Sequence, residues 1–208
     1  MTTEQIKIYY DDTKSTEIRS DLLQAIELVK GPKVAVDCGC GAGSNIGYLS
    51  TNGFTVYGYD IEDEAIIRCK DRFSNNSKVV LSQDSFSTFT YPRTSLVLAD
   101  ASLFFCPENE FDFAWHKIYE SLYVGGVFCG SFLGPNDTMA NPNYAKEGFW
   151  PNSLVFREKE IKSLFKNYLV CSFTEHKFSG RTTQGVPHDW HIFSVVASKL
   201  NLDIPHGI

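Results

Sequence analysis

VDCGCGAG, residues 36–43, ends an apolar run on an aspartate and then sets glycine at every second position: Gly39, Gly41 and Gly43. Glycine reaches positive φ without steric cost and lets a backbone come close to a ligand. The three fall where a buried strand over 33–37 hands over to a helix over 44–52. The first N–H groups of such a helix lack intrahelical partners and carry partial positive charge. In an open α/β sheet, ligands bind at this edge, beyond the carboxyl ends of the strands near the reversal of strand order. A dinucleotide site would need G-x-G-x-x-G. Counted from Gly39 the third place is Ser44, and counted from Gly41 it is Ile46. No Gly-Lys-Ser/Thr follows, so a P-loop is absent too. The pattern present is D-x-G-x-G-x-G.

Upstream, Ile18, Leu22, Ala25, Ile26 and Val29 recur at helical spacing over 16–30, and Gly31-Pro32 stops that helix. Downstream, FTVYGYD (54–60) reads as a strand. The helix over 63–73 carries acids in its first turn and Ala65, Ile66, Cys69 and Phe73 on one face. Strands follow over 78–85 and 95–102. Pro107 opens a helix with Phe111, Trp115, Ile118 and Leu122 at its apolar positions, and a fifth strand covers 125–133. A polar stretch over 134–156 precedes a helix bearing Ile161, Leu164, Phe165 and Tyr168. Two long strands, 169–180 and 189–199, are joined by the turn-rich TTQGVP. Alternating strands and helices predict an α/β fold: a seven-stranded, mostly parallel, doubly wound sheet with a C-terminal antiparallel hairpin. No repeat or linker divides the chain, so one domain over 1–208 is expected, with an N-terminal helical cap over 1–31.

The 208 residues, 43% apolar, suit one sizeable core. No window approaches the run of about 18 apolar residues of a membrane span. The N-terminus lacks the basic-then-apolar order of a signal peptide. A cytoplasmic protein with no membrane partner is expected. The net charge of −6 disfavours nucleic acid as a partner, since phosphate binding calls for a basic stripe. The most basic stretch, FREKEIKSLFK, is diluted by glutamates. Six cysteines include no C-x-x-C pair and no Cys/His cluster at zinc spacing. Reduced, mostly buried thiols and no metal follow as the expectation.

The glycine pattern resembles the first signature of class I S-adenosylmethionine-dependent methyltransferases, and the seven-strand order with its terminal hairpin resembles their Rossmann-like architecture. The resemblance implies S-adenosyl-L-methionine as cofactor, with Asp37, Gly39, Cys40, Gly41 and Gly43 framing its methionine and ribose. It implies that Asp60, ending the second strand, accepts hydrogen bonds from the ribose hydroxyls while Ile61 packs on the adenine. Asp84 and Ser85 correspond to the acid or amide beside the adenine amine, and Asp100 and Ala101 to the segment after strand four. Each residue also has a plain structural reading, Asp60 as a helix N-cap and Asp84 as a turn residue. Their joint position at the carboxyl ends of consecutive strands favours the site.

The acceptor is less legible. ADASLFFCPENEF (99–111) lacks the Asn/Asp-Pro-Pro-aromatic tetrapeptide of enzymes that methylate base amines. Cys106 precedes Pro107, the reverse of the cytosine-C5 order, and reads as a buried thiol at a helix entry. The double-glutamate hairpin of protein arginine methyltransferases is missing. SFLGPNDTMA after strand five and HDWHIFSVVASK at the end resemble small bacterial methyltransferases of the tellurite-resistance type. A small-molecule methyl acceptor is the partner this implies. Residues 134–156 are the candidate substrate lid, with a disordered or purely packing insertion as the alternative. Tyr10, Phe105, Tyr144 and Trp150, with Phe149, are candidate substrate contacts, and Asp137 is a candidate to orient a polar group. His191 is a candidate base near neutral pH, on one face with Phe193, and His176 a candidate cross-strand neighbour. Capping of exposed backbone is the alternative for these imidazoles. A protein or RNA methyltransferase and a cofactor-binding protein without turnover stay open. The sequence sets no oligomeric state.

Overall fold

Val34–Cys38 is β1, an apolar strand buried along nearly its whole length. It lies at the centre of the strand-order reversal in a seven-stranded sheet of order β3-β2-β1-β4-β5-β7-β6. The computed structural model describes residues 3–15, 17–144, 153–182 and 185–202. The remaining strands are β2 (Thr55–Asp60), β3 (Val79–Gln83), β4 (Thr94–Ala99), β5 (Leu122–Leu133), β6 (Tyr168–Arg181) and β7 (Pro187–Lys199). The first five pair in parallel, and β7 runs antiparallel between β5 and β6. The predicted α/β sheet with a C-terminal hairpin is the sheet observed.

Period-two alternation sends side chains to two apolar layers. Val36, Val97, Phe128, Phe132 and Val195 face α5 (Glu108–Ser121) and α6 (Glu158–Leu164), meeting Phe111, Trp115, Ile118 and Ile161. Ala35, Val56, Leu96, Val127 and Val196 face α2 (Ser20–Leu28), α3 (Ser44–Thr51) and α4 (Asp63–Arg72), meeting Leu22, Ile46, Leu49 and Ile66. The remaining helix, α1 (Thr3–Thr13), lies against α4.

Several boundaries differ from the sequence reading for local reasons. β4 stops at Ala99, not at 102, because Ala101 takes a φ of 46° and turns the chain into a short 3₁₀ turn at Leu103–Phe105. β3 stops at Gln83, because Asp84 and Ser85 turn back onto the Thr88 hydroxyl. β5 begins at Leu122, immediately after α5, and Gly125, with φ 77°, accommodates a register shift opposite Thr94–Leu96. Leu122 and Tyr168 therefore belong to strands, not to the helices predicted to hold them. Among the described residues no helix is long and apolar enough to cross a membrane.

Candidate active site

The glycine loop is left-handed at every second residue: Gly39, Gly41 and Gly43 have φ of 69°, 50° and 80°. A Cβ at Gly39 would stand 2.7 Å from Ser102 Cβ, and one at Gly43 2.8 Å from Cys69 Sγ. Gly41 is different, since its nearest neighbour would be Tyr10 Cε1 at 3.8 Å. The loop is hooked to β2 by the N–H groups of Gly39 and Cys40, which both donate to Tyr59 O at 2.9 Å.

Three acids converge on this loop from the ends of β1, β2 and β4. Asp37 is 2% exposed, and its Oδ2 is sealed from solvent with no hydrogen-bond partner. Burial, with the negative charges of Asp100 and Asp60 adding to it, pushes its carboxyl up to about 8. Asp60 Oδ2 accepts the Gly41 N–H at 2.9 Å and Oδ1 accepts the Glu62 N–H at 3.0 Å. Burial raises the Asp60 carboxyl, and these backbone donors oppose the rise. Burial likewise raises Asp100, against the pull of the Arg19 guanidinium. Ile61, next to Asp60, is an apolar side chain 60% exposed on the same edge.

Arg19, just ahead of α2, carried no signal in the sequence. It donates to Asp100 Oδ1 at 3.2 Å, to Asp21 at 3.2 Å and to Ser194 Oγ at 2.6 Å. Ser131, paired with Ser194 across β5 and β7, accepts the Ala101 N–H at 2.7 Å and so holds the strained turn. A small cavity lies between Arg19, Asp100, Asn45 and Ser194.

The N-terminal helix covers the loop. Tyr10 is 2% exposed and packs with Ala42 and Ala65, with Tyr9 beside it. Burial and then the Asp60 charge hold the Tyr10 phenol well above its usual range. The structure thus places Tyr10 beside the glycine loop. Arg68 ties α1 down through Asp11 at 2.7 Å, and Arg72 donates to Lys14 O and Ala42 O, both at 2.9 Å.

On the acceptor side the candidates separate. Asp137 is buried with both oxygens engaged: Oδ1 accepts from Met139 N–H and meets His188 Nε2, and Oδ2 accepts from His191 N–H, all at 2.9 Å. His191 is buried against Phe193, its Nδ1 accepting from Asn136 N–H at 3.0 Å and its Nε2 lying 2.8 Å from Glu175 Oε1. Neither ring nitrogen is left to serve as a base. The cross-strand neighbour of His191 is Lys177, and His176 pairs with Ile192, one residue from the expected register. Tyr144 meets His188 edge-on at 6.4 Å, and Phe105 lies in the turn after β4, tilted against Phe104. Phe149 and Trp150 lie outside the described residues. The two ends of the 134–156 stretch are pinned: Gly134 N–H donates to His191 O at 2.6 Å, and Phe156 N–H to Leu133 O at 2.8 Å. Cys106 is buried, which pushes its thiol up to about 12 and away from nucleophilic use.

Comparison with known proteins gives a family and a fold. Residues 1–113 match the sequence profile of the family described as tellurite resistance protein TehB. No curated protein matches the chain in sequence. TehB from Haemophilus influenzae superposes with a TM-score of 0.72 at 19% identity, over 92% of this chain and 65% of that one. The chain thus spans just under two thirds of that protein's length. A methyltransferase from Methanosarcina mazei described as SAM-dependent gives 0.67 at 16% identity, over 89% of this chain and 99% of that one. The 1,6-didemethyltoxoflavin-N1-methyltransferase of Burkholderia thailandensis, solved with 1,6-didemethyltoxoflavin and S-adenosylhomocysteine, gives 0.66 at 16% identity, over 97% and 91% of the two chains. These likenesses establish the fold as that of S-adenosylmethionine-dependent methyltransferases.

Proposed function

The chain belongs to the TehB family of tellurite resistance proteins, and from that premise we propose that it transfers a methyl group from S-adenosyl-L-methionine to a nucleophilic atom of a small molecule. The observation that carries the reading is the buried, partnerless Oδ2 of Asp37 beside two further acids around a left-handed glycine loop. A buried polar atom without a partner costs about 1–3 kcal/mol. A ligand bearing positive charge and hydroxyl groups would supply what the fold withholds, and the methyl donor has a sulfonium, an ammonium and a ribose.

In this reading Asp60 holds the ribose hydroxyls, Ile61 covers the adenine, and Asp84 and Ser85 meet its amine. Asp37 and Asp100 face the cationic part, and Arg19 is the charge available for the methionine carboxylate. Gly39, Cys40, Gly41, Gly43 and Ala101 supply backbone at close range. When bound, the donor supplies an electrophilic methyl group. The chain has to align a nucleophile with it and keep water away, tasks suited to buried strand ends beneath α1. A small acceptor is supported by the structural neighbour solved with 1,6-didemethyltoxoflavin.

The test is release of S-adenosylhomocysteine from methyl-labelled donor in the presence of thiols, phenols, amines, and selenium or tellurium oxyanions. Transfer to at least one of these, lost in Asp60→Ala, is expected. Cofactor binding with no transfer to any of them would replace the enzyme reading with that of a binding protein.

A further inference from the structure

Two histidines open β7 on the ligand edge, and their hydrogen bonds set them apart. β7 runs antiparallel to β5 with Ile192 opposite Leu133, the last residue of β5. Residues 187–191 therefore project past the carboxyl end of β5, on the side where an acceptor would approach. His191 has no lone pair to offer: Nδ1 accepts from Asn136 N–H, so Nε2 carries the proton and donates to Glu175.

His188 differs. Its Nε2 lies 2.9 Å from Asp137 Oδ1, with side chains only 5% and 0% exposed. An ionised carboxylate only accepts, so Nε2 carries the proton and the lone pair sits on Nδ1. Among the described residues, none is hydrogen-bonded to that Nδ1. Trp190 flanks the imidazole at 4.5 Å, and Tyr144 meets it edge-on. The result is a histidine of fixed tautomer and free acceptor nitrogen beside two aromatic rings.

Resting on the methyltransferase reading above, we propose that His188 is the proton acceptor for aromatic substrates that carry an O–H or N–H, with Asp137 as its positioning residue. The substrate's lone pair forms the new bond to the methyl carbon of a sulfonium donor, and the methyl–sulfur electron pair stays with sulfur. The proton leaves the substrate atom for Nδ1, and the imidazolium faces the Asp137 carboxylate through Nε2–H. Substrates already ionised skip the proton step.

Two readouts test this on the full chain. Diethyl pyrocarbonate acylates imidazole through a free lone pair, so peptide mass spectrometry should find His188 acylated and His191 spared. An unmodified His188 overturns the proposal whatever the activity. The second readout compares phenol, protonated at neutral pH, with thiophenol, its largely ionised isostere. His188→Gln, and Asp137→Asn by loss of the tautomer, should lower the ratio of phenol to thiophenol methylation by about 10²–10⁴-fold, the range of general base catalysis. An unchanged ratio, or wild type that methylates thiophenol and not phenol, overturns the proposal. Wild type that methylates no acceptor of any class breaks the underlying enzyme reading instead.

Discussion

The two halves of the ligand edge treat their buried acids in opposite ways. At the ends of β1, β2 and β4, Asp37 has an oxygen with no partner, and the turns around it are held at positive φ by Gly39, Gly41, Gly43 and Ala101. Between β5 and β7, Asp137 is as deeply buried, yet two backbone N–H groups and an imidazole saturate it. A buried carboxylate whose bonds close within the fold holds chain segments together. One whose bonds stay open stabilises the fold only when a ligand completes it. In the proposed reading the first half is the ligand site, and the second is a scaffold on which His188 keeps a lone pair unengaged.

Substitutions can break this contrast. The largest effect is expected for Gly41→Val, which forces a branched residue to φ 50° and fills the space beside Tyr10. Calorimetry should detect no S-adenosylhomocysteine binding, whereas Gly185→Val, on a turn with φ 77° and nothing within 4 Å, should bind as wild type. Equal binding by both would remove the glycine loop from the site. Asp60→Ala should weaken binding by about 2–4 kcal/mol if the carboxylate holds two buried hydroxyls. Unchanged affinity in a folded variant would take Asp60 out of the site.

Asp137→Ala should show the reverse profile. It leaves the His188 ring and the His191 N–H without their acceptor, lowering unfolding free energy by about 2–3 kcal/mol in urea titration with cofactor affinity retained. Lost affinity with unchanged stability would merge the two halves. The smallest effect is a matter of slope. The carboxyl of Asp37 is raised in the folded state to about 8, from about 4 when unfolded. The folded state therefore binds the extra proton between those values, and stability falls as pH rises through that window. Asp37→Asn should flatten this fall, giving a higher melting temperature than wild type at pH 8 and convergence near pH 4. Parallel curves would mean that Asp37 ionises normally in the fold.

The parts of the fold written in local pattern were legible. Glycine spacing marked the strand-to-helix turn, apolar periodicity marked five strands and their helices, and the closing hairpin showed in two long runs without a helix between them. The parts set by contacts distant in sequence were not. Arg19 reaches Asp100 and Ser194 across the whole chain, and no spacing announces such a bond. Period-two alternation put His191 on one face with Phe193, but it could not show that Asn136 and Glu175 consume both ring nitrogens. The register of the hairpin is set by strand pairing and not by local pattern, and it puts Lys177 and not His176 opposite His191. The end of β4 was misplaced because an alanine at positive φ has no sequence signature.

The most direct test of the central claim is calorimetric titration of S-adenosylhomocysteine into the purified chain at pH 7, repeated in two buffers of different ionisation enthalpy. Saturable binding at micromolar levels is expected, with release of a proton as the ammonium of the ligand favours ionised Asp37. No binding from a folded sample would contradict the account, leaving VDCGCGAG a tight turn with no ligand to explain its open acid.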